Sequence, residues 1–140
     1  MKIKILIPVY NDFQSISKLL IDINSVISNL NEEFSIIIVN DGSTEKTEID
    51  ISNLDKINSI KVINMKENRG HARCNAAGLK YIFENEEFDY VIPMDGDGED
   101  RPEEIGKFSD FLKYDSTKPI VGERIKRSES LIFKISYKRS

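Results

Sequence analysis

Phe34-Ser35-Ile36-Ile37-Ile38-Val39-Asn40-Asp41-Gly42-Ser43 decides the fold class of this chain. Apolar residues run unbroken from Ile36 to Val39 without polar alternation. A strand of that kind is covered on both faces, as inside a parallel sheet. The run then stops in Asn40-Asp41-Gly42, residues that favour a turn because Asn and Asp bond their own backbone and Gly tolerates positive φ.

Reading outward, residues 2–9 carry Ile3, Ile5 and Ile7 on one side and Leu6 and Val9 filling in, a second strand buried on both sides. Ile16, Leu19, Leu20, Ile23, Ile27 and Leu30 recur at spacings of three and four, which predicts a helix over residues 12–30 capped by Asn11 or Asp12. Further strands are expected at 59–65, 88–94 and 119–124, and further helices at about 45–54, 70–85 and 102–114. The 70–85 helix carries Ala72, Ala76, Leu79 and Phe83 along one face, and Pro102 suits the first turn of the helix it opens. Strands joined by helical crossovers imply an α/β architecture, a mostly parallel sheet with helices on both faces.

The chain has 140 residues, 39% apolar and 31% charged, the size and composition of one globular domain that folds without disulfide or metal. Its longest apolar runs are four residues, far short of the roughly 20 a membrane span needs. The alternating start, halted by Pro8, does not read as a secretory leader. A single cysteine, Cys74, excludes an internal disulfide and suits a reducing compartment; inside a helix it reads as a packed residue. The formal charge of −4 is uneven: Arg124, Lys126, Arg127, Lys134, Lys138 and Arg139 outweigh Glu123 and Glu129, so residues 1–122 are acidic. A body without a broad basic face argues against nucleic-acid binding.

In parallel sheets ligands sit outside the carboxyl ends of the strands. Here those ends are Pro8-Val9-Tyr10-Asn11-Asp12, Val39-Asn40-Asp41-Gly42-Ser43, Lys66-Glu67-Asn68-Arg69-Gly70 and Pro93-Met94-Asp95-Gly96-Asp97. Two carboxylates two residues apart, Asp95 and Asp97, suit one hard cation, Mg²⁺ or Mn²⁺, shared with phosphate oxygens; an Asx-rich surface turn is the plain alternative. An EF-hand starting at Asp95 fails, because its sixth and twelfth positions are Asp100 and Gly106. Asp41-Gly42-Ser43 reads either as a carboxylate offered to a base or ribose or as a helix-capping turn. Arg69, His71 and Arg73 open a helix whose N-terminus favours anions. Neither a G-x-G-x-x-G turn nor a Walker A loop follows the first strand.

Taken together, Ile7–Asp12, Val39–Thr47, Asn68-Arg69-Gly70 with Ala72–Asn75 and Gly78, Met94–Asp97 with Pro102–Ile105, and Val121–Arg124 with Arg127 resemble the family-2 glycosyltransferases of the Rossmann-like GT-A fold. The nearest branch is that of the dolichol-phosphate mannose synthase-like and undecaprenyl-phosphate glycosyltransferases, although Glu99 stands where that branch has Gln. The resemblance implies that Pro8, Val9, Tyr10, Asp12 and Asp41 hold the nucleoside of a nucleotide-sugar, with Gly42, Asn68, Gly70, Asp95 and Gly96 lining the same donor site. Arg73 then lies near the diphosphate. Asp95, Asp97 and Glu99 are the implied metal ligands, and Arg124 and Arg127 the phosphate-binding arginines.

The implied reaction is transfer with inversion to a polyprenyl phosphate or saccharide acceptor; no residue is assigned as base. Residues 1–124 are expected to form the nucleotide-sugar-binding part. Residues 125–140, apolar on one side and basic on the other, are expected to begin an acceptor or membrane-interface region of a longer chain. That end implies peripheral membrane contact at the cytoplasmic face, or self-association into a homo-oligomer. The rival expectation is a fragment that binds a nucleoside diphosphate and transfers nothing. A nucleotidyltransferase lacks its glycine-rich first turn here, and a phosphoacceptor domain lacks its aspartate, because the third strand ends in Asn64-Met65-Lys66.

Overall fold

Every second residue of the central strands faces one core and the residues between face another. The computed structural model describes residues 1–45, 48–96 and 102–107. Its elements in chain order are β1 (Lys2–Val9), α1 (Phe13–Ile27), β2 (Glu33–Asn40), β3 (Ser59–Asn64), α2 (His71–Asn85) and β4 (Tyr90–Pro93). The strands form one parallel sheet in the order β3-β2-β1-β4, with Ile5 beside Ile36 and Ile92 in register. Residues 104–107 make one further helical turn.

On one face Ile3, Ile5 and Ile7 join Phe34, Ile36, Ile38, Tyr90 and Ile92 against Ile16, Leu20 and Ile23 of α1. On the other, Leu6, Ile37, Val39 and Val91 pack with Cys74 and Ile82 of α2. Each fully buried Ile or Leu contributes about 2 kcal/mol, and the central strands supply many, which explains why the apolar runs are continuous. The doubly covered parallel sheet expected from sequence is therefore present. The α1 expectation also holds: Asp12 caps it, its carboxylate accepting from the Ser15 amide at 3.3 Å. The strand at 119–124, most of the helix at 102–114 and the end at 125–140 lie outside the described residues.

Two expectations need correction. The segment at 45–54 carries no helix in its described part. Asp50 accepts from the Ser52 amide at 2.9 Å and the Ser52 hydroxyl at 2.6 Å, and Asn53 takes φ +62°. Such local bonds compete with helical ones, and Ile49 and Ile51 are β-branched. Asn24 of α1 holds the crossover instead, donating to the Asn53 carbonyl and accepting from the Lys56 amide. The buried stripe of α2 also differs from the expected apolar face: Cys74, Gly78 and Ile82 face the sheet and Leu79 packs partly buried against the same core, while Ala72 and Ala76 are exposed. Phe83 is 46% exposed and meets Phe88 edge to face, centroids 5.0 Å apart.

Gly78 explains that choice of face. A Cβ there would overlap Leu6 Cδ1 and lie 3.0 Å from Val39 Cγ2, so only glycine lets α2 approach so closely. Gly78→Ala should therefore destabilise by about 1–2 kcal/mol in urea unfolding, even though alanine raises helix propensity by about 1 kcal/mol. A more stable variant would overturn this packing.

Candidate active site

The sheet order places a crevice. From β1 the chain builds outward to β2 and β3 on one side, then returns to add β4 on the other. At such a reversal the loops leaving the two adjacent strands diverge, and open α/β sheets bind ligands there. The reversal lies between β1 and β4, where the residues that follow β4 come against the end of β1. Gly96 is buried, and a Cβ on it would overlap Ile16 Cδ1 and come 3.4 Å from the Pro8 carbonyl oxygen. Tyr10 is exposed and Asp95 half-buried.

Behind this crevice the loops after β1, β2 and β3 are bonded to one another. The Asp41 amide donates to the Val9 carbonyl at 2.8 Å, and the Met65 amide to the Asn40 carbonyl at 2.8 Å. Asn40 Nδ2 reaches Asn64 Oδ1 at 3.0 Å, while its own Oδ1 accepts from the Ser43 amide at 3.1 Å. Asn11, at φ +52°, ties the first loop to the second through Ser43, Thr44 and Glu45.

Asp41 ties the second loop to the third. It is 1% exposed, and its two oxygens accept from the backbone amides of Arg69 (2.7 Å) and Gly70 (2.9 Å). Burial pushes its carboxyl upward, but the Arg69 amide, the Cys74 thiol, the Gly70 amide and nearby His71 more than offset this, and it lies below its usual value. Gly42, at φ +68°, lets the second loop pass against the third: a Cβ would stand 2.6 Å from Asn68 N. Asp41 therefore faces inward as a fastener between loops.

Cys74 is fully buried, and burial followed by its hydrogen bond to Asp41 pushes its thiol up to about 12, so it stays an inert donor. Gly70 precedes α2 at φ +91° with no side-chain cap of its own; the Asp41 carboxylate already sits at this end, and His71 and Arg73 are exposed in the first turn. Asn68 is exposed, Arg69 pairs with Glu67, and Asp12 is an exposed cap.

Of the expected metal ligands only Asp95 is among the described residues, where no group of three His, Cys, Asp or Glu side chains gathers. Asp97, Glu99, Arg124 and Arg127 lie outside them. Sequence reading missed Asn11 as a hub; its one signal was an Asn two residues past a strand end, a residue that tolerates left-handed φ.

Comparison with known proteins agrees with this geometry. An uncharacterized glycosyltransferase, sll0501, of Synechocystis is 34% identical over 110 residues, 78% of this chain and 33% of its own length. The chain thus spans about a third of that relative. S. aureus TarS 1–349 in complex with UDP-GlcNAc superposes with a TM-score of 0.62 at 23% identity, over 86% of this chain and 34% of that TarS chain. Glucosyl-3-phosphoglycerate synthase of Mycobacterium tuberculosis, in complex with Mn²⁺, UDP and glucosyl-3-phosphoglycerate, gives 0.51 at 19%, over 75% of this chain and 37% of the synthase. Both share the GT-A fold with this chain. The profile of Glycosyl transferase family 2 matches residues 4–139, and with these strands, this crevice and this relative, the chain belongs to that family.

Proposed function

We propose that this chain binds the nucleotide-sugar donor of a glycosyltransferase and transfers its sugar with inversion. The observation that carries the reading is the sheet reversal between β1 and β4, where Gly96 lies against the Pro8 carbonyl at the strand ends, in a chain of this family. Two structural neighbours bound to UDP or UDP-GlcNAc support a uridine nucleotide.

In this reading Pro8, Val9, Tyr10 and Asp12 border the nucleoside, with Gly42, Asn68 and Gly70 completing that side and Asp41 holding their loops. Arg73, exposed in the first turn of α2, offers donors and positive charge to the diphosphate. Asp95, Asp97 and Glu99 are proposed to hold a divalent cation, Mg²⁺ or Mn²⁺, which supplies further charge against the diphosphate when bound. Asp95 fits that role as a rim carboxylate, and the Mn²⁺ complex of the mycobacterial synthase supports it.

The acceptor oxygen forms a bond to the anomeric carbon from the face opposite the donor phosphate. The bond from that carbon to the diphosphate oxygen breaks, and the nucleoside diphosphate leaves with the electron pair, stabilised by the positive groups around it. A polyprenyl phosphate acceptor is already anionic and needs no base, whereas a saccharide hydroxyl does. Arg124 and Arg127 are proposed to meet phosphates. Residues 125–140 are proposed to touch a membrane from the cytoplasmic side or a second copy of the chain; none of the described helices is long and apolar enough to cross one.

A second reading is donor binding without transfer. Calorimetric titration with UDP, GDP and CDP, each with and without Mn²⁺, tests the shared part. UDP is expected to bind about tenfold more tightly with Mn²⁺, and Asp97→Asn to remove that gain without changing the unfolding midpoint. No binding of any nucleotide would overturn the donor reading, and an unchanged gain in Asp97→Asn would overturn the metal assignment. Sugar release to an added acceptor then separates transfer from binding alone.

A further inference from the structure

We infer that Asn11 is a positioning residue that fixes the nucleoside side of the crevice by clamping the loop after β2 to the loop after β1. This rests on the donor reading above. Asn11 makes four hydrogen bonds to three consecutive residues 32 to 34 positions away. Its backbone amide donates to Ser43 Oγ at 2.9 Å, and its Nδ2 donates to Thr44 Oγ1 at 3.1 Å. Its Oδ1 accepts from two successive amides, Thr44 at 2.9 Å and Glu45 at 3.0 Å.

A single side-chain amide thus does what a strand partner would do for a loop that has left the sheet. It satisfies amides that would otherwise turn to water and holds the loop in one place. The backbone of Asn11 is left-handed at φ +52°, a conformation Asn adopts more readily than most residues. That conformation aims the side chain across to the neighbouring loop.

Asn11 lies between Tyr10 and Asp12 in the chain, so the clamp also fixes where these two point. Without its side chain, Ser43–Glu45 would keep the Ser43 amide's bond to Asn40 Oδ1 and the Asn11 amide's bond to Ser43 Oγ as tethers at one end, and the Thr44 and Glu45 amides, no longer held, would open at little cost. A ligand would then have to order both loops as it bound, and affinity would fall by that cost.

The test uses two variants of the full chain. Asn11→Gly keeps the left-handed backbone and deletes the side chain. Asn11→Asp keeps the backbone, both accepted amides and the Ser43 bond, and the Thr44 hydroxyl can turn to donate to the carboxylate. Amide hydrogen exchange without nucleotide reads the clamp directly. Thr44 and Glu45 are expected to be protected in the unmodified chain and in Asn11→Asp, and to lose about tenfold or more of that protection in Asn11→Gly. UDP titration, at a temperature where all three chains are folded, reads the consequence: about tenfold weaker binding for Asn11→Gly and near-normal binding for Asn11→Asp.

A purely structural role would lower the unfolding midpoint of Asn11→Gly and leave UDP affinity below that midpoint unchanged, which would overturn the inference. So would unprotected Thr44 and Glu45 amides in the unmodified chain. If those amides are protected and no nucleotide binds the unmodified chain, the donor reading fails and carries the positioning role down with it, while the clamp is seen to exist.

Discussion

Asp41→Asn is expected to lower the unfolding free energy by about 2–4 kcal/mol at neutral pH, the cost of spoiling charge-assisted bonds in a buried place. The carboxylate oxygens accept from the amides of Arg69 and Gly70. An asparagine offers one oxygen and one NH₂, so one of those amides would face another donor. The Cys74 thiol would lose its charged acceptor as well; pushed up to about 12 by burial and then by Asp41, it should fall only in part, because burial, the larger cause, remains.

The effect should also depend on pH in a definite direction. Asp41 is held below its ordinary value of 3.8, so the folded chain releases its proton more readily than the unfolded one. Its contribution is complete above that value and is lost as pH falls through the still lower folded value. Urea unfolding of both chains at pH 7, and again near the acid limit of the native state, should therefore show a gap that narrows on acidification. A gap of the same size at both pH values would mean that the loss comes from packing and not from the ionised carboxylate.

What the amino-acid sequence revealed, and what it hid, divides along a physical line. Strands β1 and β2 were legible because Ile and Val in unbroken runs have few other uses, and α1 because six large apolar residues repeat at helical spacing. The inner face of α2 was not, because Cys74 and Gly78 contact the sheet by being small. Apolar weight pointed instead to Phe83, which packs against Phe88 at the edge. Residues 45–54 misled because Asp50 and Ser52 satisfy each other locally, a choice that helical propensity does not record. The rim aspartates and glycines were legible as residue types at strand ends. Their division of labour was not, since Asp41 meets partners 28 and 29 positions on and Asn11 partners more than 30 away.

Gly42→Ala should be at least as costly, about 3 kcal/mol or more, because two independent penalties fall on one methyl group. The backbone is left-handed at φ +68°, which alone costs a non-glycine residue about 1 kcal/mol. The added Cβ would also stand 2.6 Å from Asn68 N and from the Glu67 carbonyl carbon, and 2.9 Å from Glu67 Cα. These are backbone atoms and no rotamer change relieves them, so the third loop must move away. Moving it lengthens the bonds from Arg69 and Gly70 to Asp41, the same bonds that Asp41→Asn spoils.

The two substitutions should therefore be strongly non-additive. In a double-mutant cycle the second change should add about 1 kcal/mol or less to the first, a coupling of 2 kcal/mol or so. Full additivity would mean that the third loop keeps its bonds to Asp41 when Gly42 is replaced, and that the close approach at Gly42 and the carboxylate fastener are separate devices. Coupling would make them one, in which the glycine permits the approach that the aspartate then locks, holding Asn68 and Gly70 against the loop that leaves β2.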